Sequence, residues 1–178
     1  QKILIPMDNV QTNHLKAYGI AFLHLENGNE IECLLNYRGG SFLMDNQDNI
    51  ENTCLVRGVN YELINSTALS EIFTTIESNN MDIILLEKVP KIAVYSPPGK
   101  QHWDDAVTLA LTFADIKYDV VFDDEVMSNK INDYDWLHLH HEDFTGQYGK
   151  FYRSYRNKPW YRKMESDFNN TAKKHGFS

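Results

Sequence analysis

The chain has 178 residues, 42% of them hydrophobic, and a formal net charge of −8. This composition is that of an ordinary globular protein with one medium-sized domain or two small ones. No apolar run approaches the roughly 18 residues that span a bilayer, so no transmembrane segment is expected. The acidic balance argues against nucleic acid as a partner.

The first half of the chain alternates short apolar runs with helical patterns. The run KILIPM (2–7) predicts a buried strand. A helix is expected next, with apolar positions at helical spacing, Thr12 or Asn13 as its cap and Gly28 as its end. The other elements predicted here are strands at 30–37 and 61–64, an extended piece at 39–44, a loop at 45–52, a helix at 66–80 and a partly extended segment at 82–90.

The second half has a clearer order of elements. A buried strand at 91–96 precedes a mostly buried helix at 102–116, and strands follow at 118–125 and 133–141. This order implies right-handed βαβ crossovers and a parallel sheet. The fold class expected is therefore α/β, with an open, mostly parallel, flavodoxin-like sheet and flanking helices. An amphipathic helix at 158–176, with Pro159 in its first turn, follows the last strand.

Pro90 is the best candidate domain boundary. It separates an N-terminal α/β subdomain, 1–90, from a second part, 91–178, that reads as the start of a flavodoxin-like domain. A doubly wound sheet normally continues into another buried strand, whereas this sequence stops after its last helix. Either the N-terminal half completes the sheet, or the chain is an incomplete piece of a larger protein, and we favour the second interpretation.

Histidines and acids cluster where the last predicted strand ends. In an extended segment His138 and His140 share a face, and Glu142 or Asp143 would complete a two-histidine, one-carboxylate metal site. Two other interpretations stay open, a polar pocket without metal and histidines that bond to Asp133, Asp135 or the backbone. No cofactor is expected apart from such a divalent metal. The candidate residues of the pocket are His138, His140, His141, Glu142, Asp143 and Tyr148.

Aromatic and basic residues alternate after this cluster. Aromatic rings and arginine are the usual anchors of protein interfaces. Residues 150–178 hold eight Lys or Arg and two acids, which suggests docking onto an acidic surface of the chain itself or of a partner; a solvated helix face is the other interpretation. The interface candidates are Phe151, Tyr152, Arg153, Tyr155, Arg156, Trp160 and Tyr161.

Three smaller features have simpler interpretations. Cys33 and Cys54 either form a disulfide in an oxidising compartment or are two buried thiols. Asp104 and Asp105 suit the dipole at the start of a helix and require no catalytic role. The chain begins at Gln1 without an initiator Met, and we expect a secreted or periplasmic protein that has lost a leader.

Long phrases of the sequence carry a family resemblance. KILIPMD, NHLKAYGIAF, LLNYRGGSF, KIAVYSP, WDDAVTLALTFADIKYDVVFDDEV and YDWLHLHHEDFTGQYGKFY resemble a secreted family of Bacteroidota whose members are often called asparagine synthetase B. The resemblance covers nearly the whole chain. It implies a leader before Gln1, a continuation past Ser178, and a second half similar to the start of a class I glutamine-amidotransferase-like domain.

The chemistry of asparagine synthesis is not expected from these residues. The ATP-dependent enzyme uses an N-terminal cysteine and an SGGxDS pyrophosphate loop, whereas this chain starts with Gln1 and Gly39-Gly40-Ser41 runs into Phe42. An amidotransferase needs a cysteine at a strand-to-helix elbow, a position that neither cysteine occupies in the predicted elements.

Two functions from different classes follow. The favoured one is a non-catalytic, amidotransferase-like binding component, with a protein partner in a cell-envelope complex. The alternative is a hydrolase that acts through a metal on His138, His140 and Glu142, or through a nucleophile beyond residue 178.

Overall fold

The computed structural model of the chain describes residues 1–47, 49–97, 105–139 and 148–177. They form an α/β protein that divides into two compact units. The first unit comprises residues 1–89 and 109–117, and the second comprises residues 90–108 and 118–178. A segment from the second half of the chain thus belongs to the first unit, which a boundary at Pro90 alone does not anticipate.

The first unit contains a five-stranded sheet with the order β4-β1-β3-β2-β5. Every pairing in this sheet is antiparallel. The strands are β1 (Lys2–Ile5), β2 (Ile31–Leu35), β3 (Ser41–Asp45), β4 (Glu62–Ile64) and β5 (Asp82–Leu86). The helices that start in this part of the chain are α1 (His14–Glu26), α2 (Ile50–Arg57) and α3 (Ser66–Glu77).

Side-chain alternation along β1 builds a core on both faces of this sheet. Ile3 and Ile5 pack into the cluster that holds the buried residues of α1 and α2. Leu4 packs into the opposite cluster, together with Ile72 and Ile76 of α3. The sheet is therefore sandwiched between helices, and its central strands are buried on both sides.

Asn13 and Gly19 determine where α1 begins and how closely it packs. The Asn13 side chain accepts a hydrogen bond from the Lys16 backbone N–H, as the sequence predicted for a cap. Further along the helix, a Cβ atom added to Gly19 would lie 1.8 Å from the backbone oxygen of Ala114. Glycine is needed here because two backbones approach too closely for any side chain.

The second unit contains a three-stranded parallel sheet with the order β7-β6-β8. Its strands are β6 (Ile92–Tyr95), β7 (Asp119–Val121) and β8 (Trp136–Leu139). The helices that begin in the second half are α4 (Ala106–Ala114), α5 (Asp123–Met127), α6 (Tyr148–Tyr155) and α7 (Pro159–Lys174). The α/β class and the parallel arrangement of this half are confirmed, and Pro159 does open α7 as predicted.

Several sequence predictions are corrected by these elements. The described residues do not form one mostly parallel sheet, because the five-stranded sheet is antiparallel and only the three-stranded sheet is parallel. The strand predicted at 118–125 ends at Val121, and α5 begins two residues later, at Asp123. The Glu125 side chain accepts a hydrogen bond from the Phe122 N–H at the start of this helix. The loop predicted at 45–52 overlaps α2, and α6 was not predicted at all.

No helix within the described ranges is long and apolar enough to cross a membrane.

We predict that Gly19→Ala destabilises the first unit. In an open helix this change would stabilise by about 1 kcal/mol, because alanine is the better helix former. Here the new methyl group overlaps the Ala114 carbonyl, so we expect a net loss of about 1–3 kcal/mol. Urea unfolding followed by circular dichroism measures the change, and a midpoint above that of the wild type would contradict the contact.

Candidate functional site

The carboxyl ends of β6, β7 and β8 meet at one edge of the parallel sheet, since all three strands run in the same direction. In open α/β sheets, ligands bind at this edge, beside the point where the strand order reverses. The central strand β6 lies between β7 and β8, so the reversal falls at the end of β6. The residues described around this edge are the candidates for function.

His138 of β8 forms a close pair with Asp105. The His138 Nε2 and Asp105 Oδ2 atoms are 2.6 Å apart, and both side chains are largely buried. Asp105 immediately precedes α4, and its Oδ1 atom accepts hydrogen bonds from the Thr108 backbone N–H at 2.8 Å and from the Thr108 hydroxyl at 3.0 Å. One carboxylate therefore caps a helix and orients an imidazole ring.

The surroundings of Asp105 favour its charged form. Burial raises the pKa of this carboxyl, but the hydrogen bonds from His138 and Thr108 outweigh burial and hold the pKa well below its ordinary value. The carboxylate is consequently ionised at neutral pH. An imidazole held by such a carboxylate is suited to bind a metal or to move a proton through its other nitrogen.

Ser96 is a second polar residue at the same edge. It directly follows β6, is buried, and its Oγ atom has no hydrogen-bond partner in the described part of the chain. Val94 pairs with His138 in the parallel register, so Ser96, two residues further, lies on the His138 face of the sheet. A buried hydroxyl without a partner costs about 1–3 kcal/mol, which a ligand or a water molecule at this edge would recover.

A groove between α5 and α7 lies at the same carboxyl edge of the sheet. Its volume is about 540 Å³, and Pro97 and Phe122, which follow β6 and β7, contribute to its wall. Phe122 stacks between Tyr95 and Phe168, with ring centroids 5.2 and 6.1 Å apart. Trp160 forms part of the rim and is 49% exposed. The groove thus combines aromatic walls with an accessible indole ring.

Two acidic residues that line this groove, Asp123 and Asp124, bond to side chains of the same unit. The Tyr95 hydroxyl donates to Asp123 at 2.6 Å. Asp124 accepts from the Lys174 ammonium at 2.9 Å and contacts the His175 ring at 2.8 Å, and these two partners lower the pKa of Asp124. The basic end of α7 therefore meets an acidic turn of the chain itself, one of the two docking surfaces that its charge suggested.

Four interface candidates assemble into an exposed aromatic patch, which consists of Tyr152, Tyr155, Trp160 and Arg156. The Tyr155 and Trp160 rings lie 5.3 Å apart, and the Arg156 guanidinium lies 5.8 Å from the Tyr152 ring centroid. The three aromatic side chains are about half-exposed. The short connection between α6 and α7 brings them together.

Tyr161, another interface candidate, is placed in the interior rather than on the surface. It is 1% exposed and packs edge-on against both Tyr152 and Trp160. A side chain this deeply buried supports the patch from below and offers no area to a partner. Arg153 is exposed on α6, beside the patch residues in sequence.

Other candidates fall outside what the structure describes. His140, His141, Glu142 and Asp143 lie outside the described ranges, and Tyr148 and Phe151 are placed as backbone of α6 only. No group of three His, Cys, Asp or Glu side chains that could hold a metal occurs among the residues in the described ranges.

The two cysteines are free thiols of the first unit. Cys33 lies in β2 and Cys54 is buried in α2. Burial raises the pKa of both thiols, and that of Cys54 to about 11, so few of them ionise at neutral pH. Neither is placed as a catalytic nucleophile would be.

Asp105 is the residue of this site that sequence reasoning missed. It lies 33 positions from His138, whereas the acids proposed as partners of the histidines, Asp133 and Asp135, were close in sequence. Asp135 instead accepts from the Lys91 N–H at 2.8 Å. The usable signal was the Asp-x-x-Thr spacing that ends at Thr108, which marks a helix cap but says nothing of a distant strand.

Comparisons with protein-family models, with curated proteins and with solved structures found no match to this chain. The fold and the site therefore define an α/β protein and leave its activity to be proposed from the geometry above.

We predict that Asp105→Asn weakens the second unit by about 1–3 kcal/mol, because asparagine keeps the cap but loses the charged bond to His138. The pKa of Asp105 lies below its ordinary value of 3.8, so its stabilisation is fully present above that pH and is lost as the pH falls towards the folded pKa. As the pH falls from about 5 to about 3, the free energy of unfolding should decrease less for the variant than for the wild type, since asparagine does not titrate.

Urea unfolding at several pH values measures both effects. Asp105→Ala is the matched comparison, since it removes the cap as well and should cost more. An Asn variant with unchanged stability and an unchanged acid profile would contradict the pair.

Proposed function

We propose that this chain is a non-catalytic binding component whose aromatic patch docks a protein partner. The observation that carries this proposal is the exposed cluster of Tyr152, Tyr155 and Trp160 beside Arg156. Trp, Tyr and Arg are the residues that most often dominate binding energy at protein interfaces. Rings fixed by their neighbours also lose little conformational entropy when a partner covers them.

Charge favours a partner with an acidic docking segment. Residues 150–178 carry a net charge of +6, while the chain as a whole carries −8. Of these basic residues, Lys174 is paired with Asp124 and Lys163 with Asp167, and the patch itself contributes Arg156. Carboxylates of a partner would be drawn to this end and repelled by the rest of the chain.

The family resemblance supplies the setting of the proposal. It supports a secreted or periplasmic protein, acting within a cell-envelope complex, on an amidotransferase-like scaffold. The strand order β7-β6-β8 supports that scaffold, because flavodoxin-like sheets begin with the second, first and third strands in this order. A continuation of the sheet beyond Ser178 stays a prediction, as does the absence of a nucleic-acid partner.

We predict that a photo-crosslinking amino acid at Tyr155 forms a light-dependent adduct with one protein of the native host. The same amino acid at Trp136 is the control, since Trp136 is 43% exposed but lies at the opposite, amino end of β8. Trp160→Ala should weaken the Tyr155 adduct at least tenfold, as expected of an interface anchor. The crosslinked peptide, identified by mass spectrometry, should be acidic.

Equal adducts at the two positions, or an adduct that Trp160→Ala leaves intact, would contradict a specific docking surface.

A second candidate, a hydrolase, is favoured by the orientation of His138. The Nε2 atom of His138 is hydrogen-bonded to Asp105, so the Nδ1 atom of His138 is the nitrogen that would bind a metal or transfer a proton. A divalent metal bound by His138, His140 and Glu142 would supply an activated water molecule. The buried hydroxyl of Ser96 on the same face supports a ligand at this edge.

If the hydrolase proposal holds, protein purified without chelators will contain about one Zn, Fe or Mn per chain by elemental analysis, and His138→Ala will remove it. Asp105→Asn should weaken metal binding about 10–100-fold, the usual effect of losing the carboxylate behind a ligand. A metal content far below one per chain, after incubation with each ion in turn, would rule out the metal-dependent version.

A further inference from the structure

Strand β5 is an edge of the first unit's sheet and is unusually apolar. It pairs with β2 on one side, and no described residue pairs with its other side. Ile83, Ile84 and Leu85 are 37%, 45% and 49% exposed. Because alternate residues point to opposite faces, this strand exposes aliphatic side chains on both faces of the sheet.

Apart from the hydrogen bond that the Ile83 N–H donates to the Asp82 carboxylate at 2.8 Å, the described residues give β5 none of the usual protections of an edge strand. Natural edges are shielded by a lysine or proline within the strand, by a bulge, or by a covering element. The four residues 83–86 are all aliphatic, and the five consecutive pairs with β2 leave no bulge. Such an edge is a ready template for another strand.

We infer that β5 pairs in antiparallel fashion with β5 of a second copy, which joins two five-stranded sheets into one of ten strands. A strand related to itself by a two-fold axis is necessarily antiparallel to its copy, as an isologous interface requires. This inference goes beyond the proposed function, since it involves the first unit and none of the residues of the aromatic patch.

The sequence of β5 selects a register for this pairing. With Leu85 opposite its own copy, Ile84 lies opposite Leu86, and Asp82 lies opposite Lys88 just past the strand end. Two aliphatic pairs are then flanked by two ion pairs on the same face, and opposite charges across strands are stabilising. Centring on Ile84 instead would set Asp82 against Leu86 and Glu87 against Met81, which leaves both acids unmatched, whereas the first register leaves only Glu87 unmatched, opposite Ile83.

An apolar groove adjoins the face that carries Ile84 and Leu86. Ile84 pairs with Cys33 and Leu86 with Ile31, so both lie on the side that α1 covers. The groove has a volume of about 700 Å³, and its lining includes Tyr18, Phe22, Cys33, Leu35 and Leu86. Pairing would place the second copy's Ile84 and Leu86 beside this open lining, which extends the apolar contact beyond the strand itself.

Sedimentation equilibrium of the full chain tests the association. We expect a concentration-dependent dimer, and we expect Leu85→Lys to weaken it at least tenfold, since two ammonium groups would meet at the axis. Leu55→Lys is the matched control, because Leu55 is 67% exposed on α2 and should leave the dimer unchanged. Circular dichroism verifies that both variants fold.

A charge exchange tests the register. Asp82→Lys and Lys88→Asp should each weaken the homodimer, because like charges then face each other across the axis. An equimolar mixture of the two variants should form a heterodimer as stable as the wild-type dimer, since every pair is again of opposite sign.

A chain that is monomeric at several hundred micromolar would overturn the inference. So would a dimer that Leu85→Lys does not weaken, or a mixture that fails to restore association. A monomer whose β5 edge binds only a foreign strand would also overturn it and would assign the edge to a different partner.

Discussion

The common direction of three short strands is the constraint on which the second unit depends. Because β7, β6 and β8 are parallel, the residues that follow them come together at one edge although they are far apart in the sequence. Ser96 follows β6, Phe122 follows β7, and His138 lies near the end of β8. Two features lie at this edge, the imidazole–carboxylate pair of His138 and Asp105 and the aromatic groove between α5 and α7.

One carboxylate connects this arrangement to the helix that follows β6. Asp105 satisfies backbone and side-chain donors of Thr108 while it holds the His138 ring. Because the same carboxylate bonds to Thr108 and to His138, the position of the first turn of α4 is coupled to the orientation of the His138 ring. A ligand that moved the ring would therefore also act on the first turn of α4, which links any event at the edge to the helix that leaves it.

Local signals explain what the sequence could predict. The apolar runs of β1 and β6, the Asn13 cap and Pro159 are readable because each depends on its own neighbours. The direction of strand pairing is not local, so the antiparallel sheet of the first unit was missed. Helix α2 was read partly as a loop because it buries only Ile50 and Cys54 and shows little periodicity. His138 was a candidate from its cluster, but α4, β7 and α5 separate it in the sequence from its partner Asp105.

The composition of the first unit has a consequence for how the chain can be divided. Residues 109–117 belong to this unit, and the backbone of Ala114 lies against Gly19 of α1. A cut after Val89 would therefore leave 1–89 without the segment that Gly19 accommodates. The cut would also leave Leu111 and Ala114, both buried in the whole chain, attached to the wrong fragment. The two units have separate sheets, yet no single cleavage of the chain divides one unit from the other.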